Sequence, residues 1–246
     1  MLRETRMRNS PEVVHGFRMR GREVTRLESF SDAVFGFAIT LLVVSLEVPK
    51  SFDQLIETMR GFLAFAVCFA ILAMIWNEHY LYCRRFGLQD SFVRFLTCVL
   101  LFIVLLYVYP LKFLFNLFIN GMILHGARGQ LTMSQGTALF VIYGLGFTAI
   151  YLALTALYLH AYKRRDELEL TPLETFDTRW EIYGLLCEAA VGVTSIVIAL
   201  TQRFGDLPGF IYFALFPVMT IHGALRRRGR RRLIAEALQS APTDEL

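Results

Sequence analysis

The feature that most constrains this chain is a series of apolar blocks, each long enough to cross a membrane and nearly free of charge. About 20 residues of helix span a hydrocarbon core about 30 Å thick. A helix also satisfies its own backbone hydrogen bonds where no water is present. The blocks place six spans at 30–48, 61–82, 92–119, 137–162, 181–202 and 207–225, with the third and fourth long enough to tilt. Pro, Gly and charged residues collect in the connectors, as turns require. Only 19% of the 246 residues are charged and 55% are hydrophobic, whereas soluble domains carry roughly 25% charged residues. The expected fold class is an all-α integral membrane protein with six transmembrane helices, and a water-soluble globular fold is excluded.

Orientation follows from where the 25 Lys and Arg residues lie. Arg3, Arg6, Arg8, Arg18, Arg20, Arg22 and Arg26 precede or open the first span. Arg84, Arg85 and Arg94 lie in or beside the second connector, and Lys163, Arg164, Arg165 and Arg179 around the fourth. Arg226, Arg227, Arg228, Arg230, Arg231 and Arg232 follow the sixth span. With an even number of spans these positions share one side, which the positive-inside rule makes cytoplasmic. The expected organisation is a basic cytoplasmic tail over 1–29, a transmembrane domain over 30–225 and a basic cytoplasmic tail over 226–246. The net charge of +4 is mainly a topology signal; no nucleic-acid partner is expected, and the C-terminal arginine run is a candidate contact for anionic lipid. The first apolar block lacks a small-residue cleavage site, so it does not read as a signal peptide. Cys68, Cys83, Cys98 and Cys187 show no disulfide-framework spacing.

Reactive constellations are missing. His15, His79, His125, His160 and His222 are scattered, and no HExxH pair, GxSxG elbow, P-loop or CxxC occurs. An enzyme is therefore not expected, nor is a cofactor or metal. A TVGYG filter, whose carbonyls replace an ion's hydration shell, is also absent. If ions cross, side chains of continuous helices do the selecting.

The first span carries the most information. Asp32 sits near its start, where a carboxylate is either a functional group in a membrane or, with Ser31, a cap for orphan amides. At 100° per residue, Phe37, Leu41, Val44 and Val48 share a narrow stripe with Thr40 at its margin, and Phe30 and Arg26 continue it. Ala33, Gly36 and Thr40 form a small-residue edge suited to close helix approach. The stripe fits ordinary packing or the wall of a pore. Asp32 points away from it, toward neighbouring helices of the same subunit.

Arg26-x-x-x-Phe30-Ser31-Asp32, followed by Ala33-Val34-Phe35 and Ala38-Ile39-Thr40-Leu41-Leu42, resembles the first-helix signature of the transmembrane protein 175 family of potassium channels. Trp76-Asn77-Glu78-His79, at the end of the second span, is similar to that family's W-x-x-H element. The resemblance implies a single-repeat, prokaryotic-type subunit of six helices, from a bacterial or archaeal cell membrane, that assembles as a homotetramer with first helices lining a central pore. It implies apolar rings at Phe37, Leu41 and Val44, with Thr40 offering a hydroxyl layer and K+ as the permeant ion rather than a cofactor. The first ring position, usually Ile or Leu in the family, is Phe37 here. Arg26, Ser31 and Asp32 are expected to form a polar network with Trp76, Asn77 and His79 that sets the rotation of the pore helix. His79 reads as a structural histidine or a pH sensor.

Of the other ionisable groups, Lys112 is expected near the outer interface by snorkelling, and Glu188 in an interhelical hydrogen bond. Gly144 and Gly146 suit close packing. The competing function is a proton-coupled transporter or a proton-permeable channel that uses Asp32, His79 and Glu188.

Overall fold

The computed structural model describes residues 13–14, 16–44, 50–122, 132–202 and 207–239. A short antiparallel hairpin, β1 (Val13–Val14) and β2 (Phe17–Arg18), leads into α1 (Arg26–Val44). Long helices follow: α2 (Phe52–Phe86), α3 (Ser91–Met122), α4 (Met133–Lys163) and α5 (Pro172–Thr201). A four-residue helix, α6 (Leu207–Phe210), and a 3₁₀ turn (Ile211–Ala214) then enter α7 (Leu215–Gln239). Five helical segments are long and apolar enough to cross a membrane: Phe62–Phe86, Ser91–Phe115, Met133–Lys163, Pro172–Thr201 and Leu207–Glu236. The first expected span is not among them. Its helix, α1, has 19 residues and carries Arg26, Glu28 and Asp32 in its first two turns, and residues 45–48 of that span lie outside the described residues.

Local chemistry explains the boundaries. Thr132 and Thr171 form capping boxes with Gln135 and Glu174, and Ser51 accepts from the Gln54 amide. Gly87 ends α2 in the left-handed region (φ 62°), and a Cβ there would lie 3.1 Å from the Arg20 carbonyl carbon and the Gly21 nitrogen. The C-terminal arginine run is helical: α7 continues from the apolar segment to Gln239.

The core runs through α3, α4 and α5, where Val104, Tyr107, Ile150, Leu154, Leu157, Tyr158 and Leu185 are buried. The small residues of α4 do as expected. Gly144 fits against Ile196 and Gly192 of α5, and Gly146 against the Tyr107 ring of α3, where a Cβ would collide.

The described part of the N-terminal basic segment, from Gly16 onward, is packed against the helices. Phe17 is buried edge-on against Phe86, with ring centroids 5.8 Å apart, and Phe86 meets Tyr158 edge-on at 5.7 Å. The Arg18 amide and the Arg20 guanidinium donate to Glu174 at 2.7 and 2.8 Å, and the Gly21 amide donates to the Arg84 carbonyl at 3.0 Å. This strap joins the end of α2, the start of α5 and the chain entering α1.

Arginines from the strap, α2 and α7 meet at this end of the bundle. Glu174, Asp177 and Glu181 share one face of α5, at spacing i, i+3, i+7. Arg226 pairs with Asp177 (3.2 Å) and with Glu181, Arg230 pairs with Asp177 (3.2 Å), and Arg85 with Glu181 (3.3 Å). Asp90, between α2 and α3, accepts from His160 and Arg164, each at 2.7 Å.

Replacing Phe17 by Ala should destabilise the detergent-solubilised protein by about 3 kcal/mol, as for a buried aromatic, read as a lower melting temperature; Phe17→Leu should cost less. Partial burial works against charge on Asp90, but the His160 hydrogen bond and the Val93 and Phe92 amides outweigh it and hold its pKa below the usual 3.8. Because the folded pKa is the lower one, the stability it contributes is present above pH 3.8 and lost as pH falls through the depressed value. Wild type and Asp90→Asn should therefore differ in melting temperature above that window and converge below it.

Candidate functional site

The site is built on α1, and the sequence sets its rotation. Glu28, Ser31, Phe35, Ala38 and Leu42 recur at three- and four-residue steps, and all are buried. Ala38 and Leu42 have 0% exposure, so this stripe is the face that α1 turns to α2 and α3. The opposite face has no cover within the chain. Arg26, Phe30, Ala33, Gly36, Phe37 and Thr40 are exposed, Phe37 by 68%. Thr40 and Ala33 sit at the middle of this face rather than at its margin. Leu41 is half-buried at the border, against the core. Val44 ends the helix, and its side chain lies outside the described residues. Thr40 donates its hydroxyl hydrogen to the Gly36 carbonyl at 2.8 Å, leaving the oxygen's lone pairs toward the open face.

The start of α1 is capped by residues the sequence reading passed over. The Thr25 hydroxyl accepts from the Glu28 amide at 3.1 Å, and the Glu28 carboxylate accepts from the Thr25 amide at 3.4 Å. The T-x-x-E spacing was the available signal. Ser31 and Asp32 are consequently not caps, since the helix already begins at Arg26.

The expected polar network is smaller than the motif suggested. The Trp76 indole N–H donates to Asp32 at 2.7 Å and ties α2 to α1. Ser31 is buried and donates back to the Leu27 carbonyl at 2.8 Å. His79 turns elsewhere: its Nε2 lies 3.4 Å from the Thr97 hydroxyl of α3 and 3.9 Å from the Cys83 sulfur. The reason is helical geometry. Cys68, Leu72, Ile75, His79, Tyr82 and Phe86 form the buried stripe of α2, with Cys83 at its edge, while Trp76 is rotated from His79 by about 60° and reaches α1. Asn77 is exposed, and neither it nor Arg26 makes a side-chain hydrogen bond or ion pair among the described residues.

At the far end of α1, the Lys112 ammonium donates to the Leu42 carbonyl at 3.0 Å. Lys112 thus reaches across to another helix instead of only snorkelling outward. Glu188, expected in an interhelical hydrogen bond, makes none among the described residues. Among the described residues no hydrogen bond links Asp32, His79 and Glu188 into a relay. Among the described residues no group of three or more His, Cys, Asp or Glu is placed to hold a metal ion.

Residues 26–107, which contain α1, α2, Trp76, His79 and Thr97, match the family model described as endosomal/lysosomal potassium channel TMEM175. A potassium channel from Marivirga tractuosa is 38% identical over 247 aligned residues, covering 94% of this chain and all of the relative. The chain belongs to the TMEM175 family. A second relative, a potassium channel from Streptomyces collinus, is 27% identical across 56% of this chain and 64% of its own length. Among solved structures, the crystal structure of a variant of the potassium channel MtTMEM175, in complex with a nanobody–maltose-binding-protein fusion, superimposes with a TM-score of 0.77. It is 37% identical over 88% of this chain and 99% of that one. These TMEM175 relatives are channels, and this chain is a multi-pass membrane protein of that family and not an enzyme.

Trp76→Phe removes the indole donor and should cost about 1 kcal/mol of stability, the worth of one hydrogen bond. Asp32→Asn, which keeps an acceptor oxygen, should cost less, and in the double variant the two losses should not add. Thermal melting of the three variants in detergent checks the coupling.

Proposed function

We propose that this chain is a potassium-preferring cation channel in which ions pass passively through the central pore of a homotetramer. The observation that carries the reading is the uncovered face of α1. The helix buries one stripe in its own subunit, yet exposes Ala33, Phe37 and Thr40 on the other, and it bears the family's signature residues. In this reading Phe37, Leu41 and Val44 form the apolar constriction and Thr40 supplies hydroxyls between them. Arg26, Phe30, Ser31, Asp32, Trp76, Asn77 and His79 make up the supporting motif, within which the Trp76–Asp32 bond holds α1 to α2. A chain with one copy of α1 needs several subunits to surround a pore, and four is the number the family resemblance gives.

In the same reading α1 is the sixth crossing, which puts both termini on one side of a bacterial or archaeal cell membrane. The arginines meeting at that end make it cytoplasmic. The domain limits are 1–29, 30–225 and 226–246, although α7 runs through the last boundary. Anionic lipid is the proposed partner of the arginine run, and the pairing pattern supports it. Arg226 and Arg230 turn inward to α5, while Arg227, Arg228, Arg231 and Arg232 are exposed beyond the apolar side chains Ile221 and Leu225. An arginine row at the edge of a lipid-facing strip suits phosphate headgroups.

The intact helix explains how such a pore selects. Within α1 the backbone carbonyls are engaged in helical bonds, so an ion meets side chains and the water that follows it. An apolar ring conducts only when wide enough to wet. Trimming Leu41 to Ala should therefore raise K+ flux into proteoliposomes. A barrier lower by about 1.4 kcal/mol is enough for a tenfold rise. Na+ flux measured in parallel should rise more, as the constriction loses its discrimination. If a confirmed tetramer carrying both Phe37→Ala and Leu41→Ala leaves K+ flux at background, the pore reading is wrong.

A further inference from the structure

We propose that the cytoplasmic half of the cleft between α5 and α7 binds an anionic phospholipid, its phosphate held by Arg179, Arg228 and Arg232. This deepens the anionic-lipid reading above, on which it rests, by giving the lipid a place between two helices. The contacts between α5 and α7 set their register. His222 Nε2 donates to the Trp180 carbonyl at 2.9 Å, and Arg230 pairs with Asp177 at 3.2 Å. Gly229 lies against Phe176, where a Cβ would come within 2.7 Å of the ring. Rising numbers on one helix meet falling numbers on the other, so the two run antiparallel. Arg226 and Arg230 are turned into the contact. At about 100° per residue, Ile221, Leu225, Arg228 and Arg232 stand on the flank of α7 to which Gly229 turns. Arg227 and Arg231 stand on the other flank. Arg179, Trp180 and Tyr183 lie on the matching flank of α5, to the Phe176 side of Asp177.

The residues along this flank follow the order of a lipid. From the membrane centre outward, the register brings Tyr183 level with Ile221, then Trp180 with Leu225, then Arg179 with Arg228, and Arg232 stands a turn further out. Ile221, Leu225 and Tyr183 are exposed, and little of the span Leu207–Glu236 is buried within the subunit. Acyl chains therefore have an apolar surface to lie on. Trp180 meets Tyr183 edge-on, with ring centroids 6.2 Å apart, and His222 at 5.1 Å. This aromatic wall stands at the depth where Trp and Tyr settle in membranes. Beyond it the cleft turns basic. Arg179 donates to the Tyr183 hydroxyl at 3.4 Å, which draws its guanidinium toward the cleft. Arg228 and Arg232 are exposed and one turn apart on the same side of α7. Of the acids nearby, Asp177 and Glu181 face the contact and hold Arg226, Arg230 and Arg85, and Glu236 lies a turn beyond Arg232. Guanidinium forks bond phosphate oxygens in pairs, and arginine reaches a headgroup by laying its stem on apolar surface.

Trp180 is one of two tryptophans in the chain, so in a Trp76→Phe parent its fluorescence reports the lipid beside it. The parent, purified as an assembled oligomer, is reconstituted into phosphatidylcholine vesicles at about 0.15 M salt, where exposed charges more than about 8 Å apart are screened. The probe is phosphatidylglycerol brominated near the head of its chains, with brominated phosphatidylcholine in parallel. Quenching should show a preference for the anionic lipid of about tenfold. Arg228→Gln with Arg232→Gln should abolish that preference, and Arg179→Gln should reduce it. Arg227→Gln with Arg231→Gln removes the same charge and should keep it. Both double variants alter exposed side chains and should melt with the parent. Equal responses of the two double variants overturn the site; if both lose the preference, the general attraction of the arginine run for anionic lipid still stands. Quenching of the parent without preference for phosphatidylglycerol overturns the anionic-lipid reading as well. Quenching by neither lipid means that protein covers the cleft, and overturns the site.

Discussion

The acidic stripe of α5 holds the arginine-rich end of the molecule together. Glu174, Asp177 and Glu181 face the same way, and arginines from three distant segments converge on them: Arg18 and Arg20 from the strap, Arg85 from α2, and Arg226 and Arg230 from α7. Glu174 is fully buried and also closes the capping box of its own helix. A carboxylate in that position is tolerated only because guanidinium and amide donors surround it. Removing one arginine would leave charge uncompensated, which costs more than the pair contributes. The cluster fixes the ends of α2, α5 and α7 relative to one another, and through the strap it fixes where α1 begins.

That arrangement bears directly on the helix that carries the family signature. α1 packs on α2 and α3. Its buried stripe is mostly small or apolar, so it gives affinity without much orientation. Directional contacts do the rest: the Thr25–Glu28 cap at its start, the Trp76 indole on Asp32, and the Lys112 ammonium at its last turn. The face left open is then a consequence of how the helix is held. Thr40 lies at the centre of that face and Leu41 at its border, a different weighting from the stripe centred on Phe37 and Leu41 that periodicity gives.

Much of this was legible in the amino-acid order. Apolar block lengths give the membrane class and nearly every helix, because a bilayer leaves the backbone few alternatives. Gly144 and Gly146 were readable as packing positions, since only a missing side chain allows helices that close. The Arg26-to-Asp32 signature points to the first helix, which lies within the residues that match the family model. The N-terminal strap was not legible: two-residue strands and a buried Phe17 have no periodic pattern, and seven arginines in or beside the tail read as a topology signal. The acidic stripe was missed for a related reason. Its three carboxylates are spaced for one helix face, but their partners lie up to 156 residues away in sequence.

The sequence by itself determined that the chain is a helical membrane protein and which helix carries the family's signature residues. These properties depend on composition and local period, both of which are written in consecutive residues. Only the tertiary structure decided which motif residues meet. Trp76 and His79 are three positions apart, and nothing local says which of them faces α1; the buried stripe from Cys68 to Phe86 sends His79 to Thr97 and leaves Asp32 to Trp76. In the same way Lys112 could have extended to the interface, and it bonds Leu42 because the packing of α3 against α1 brings that carbonyl within its reach.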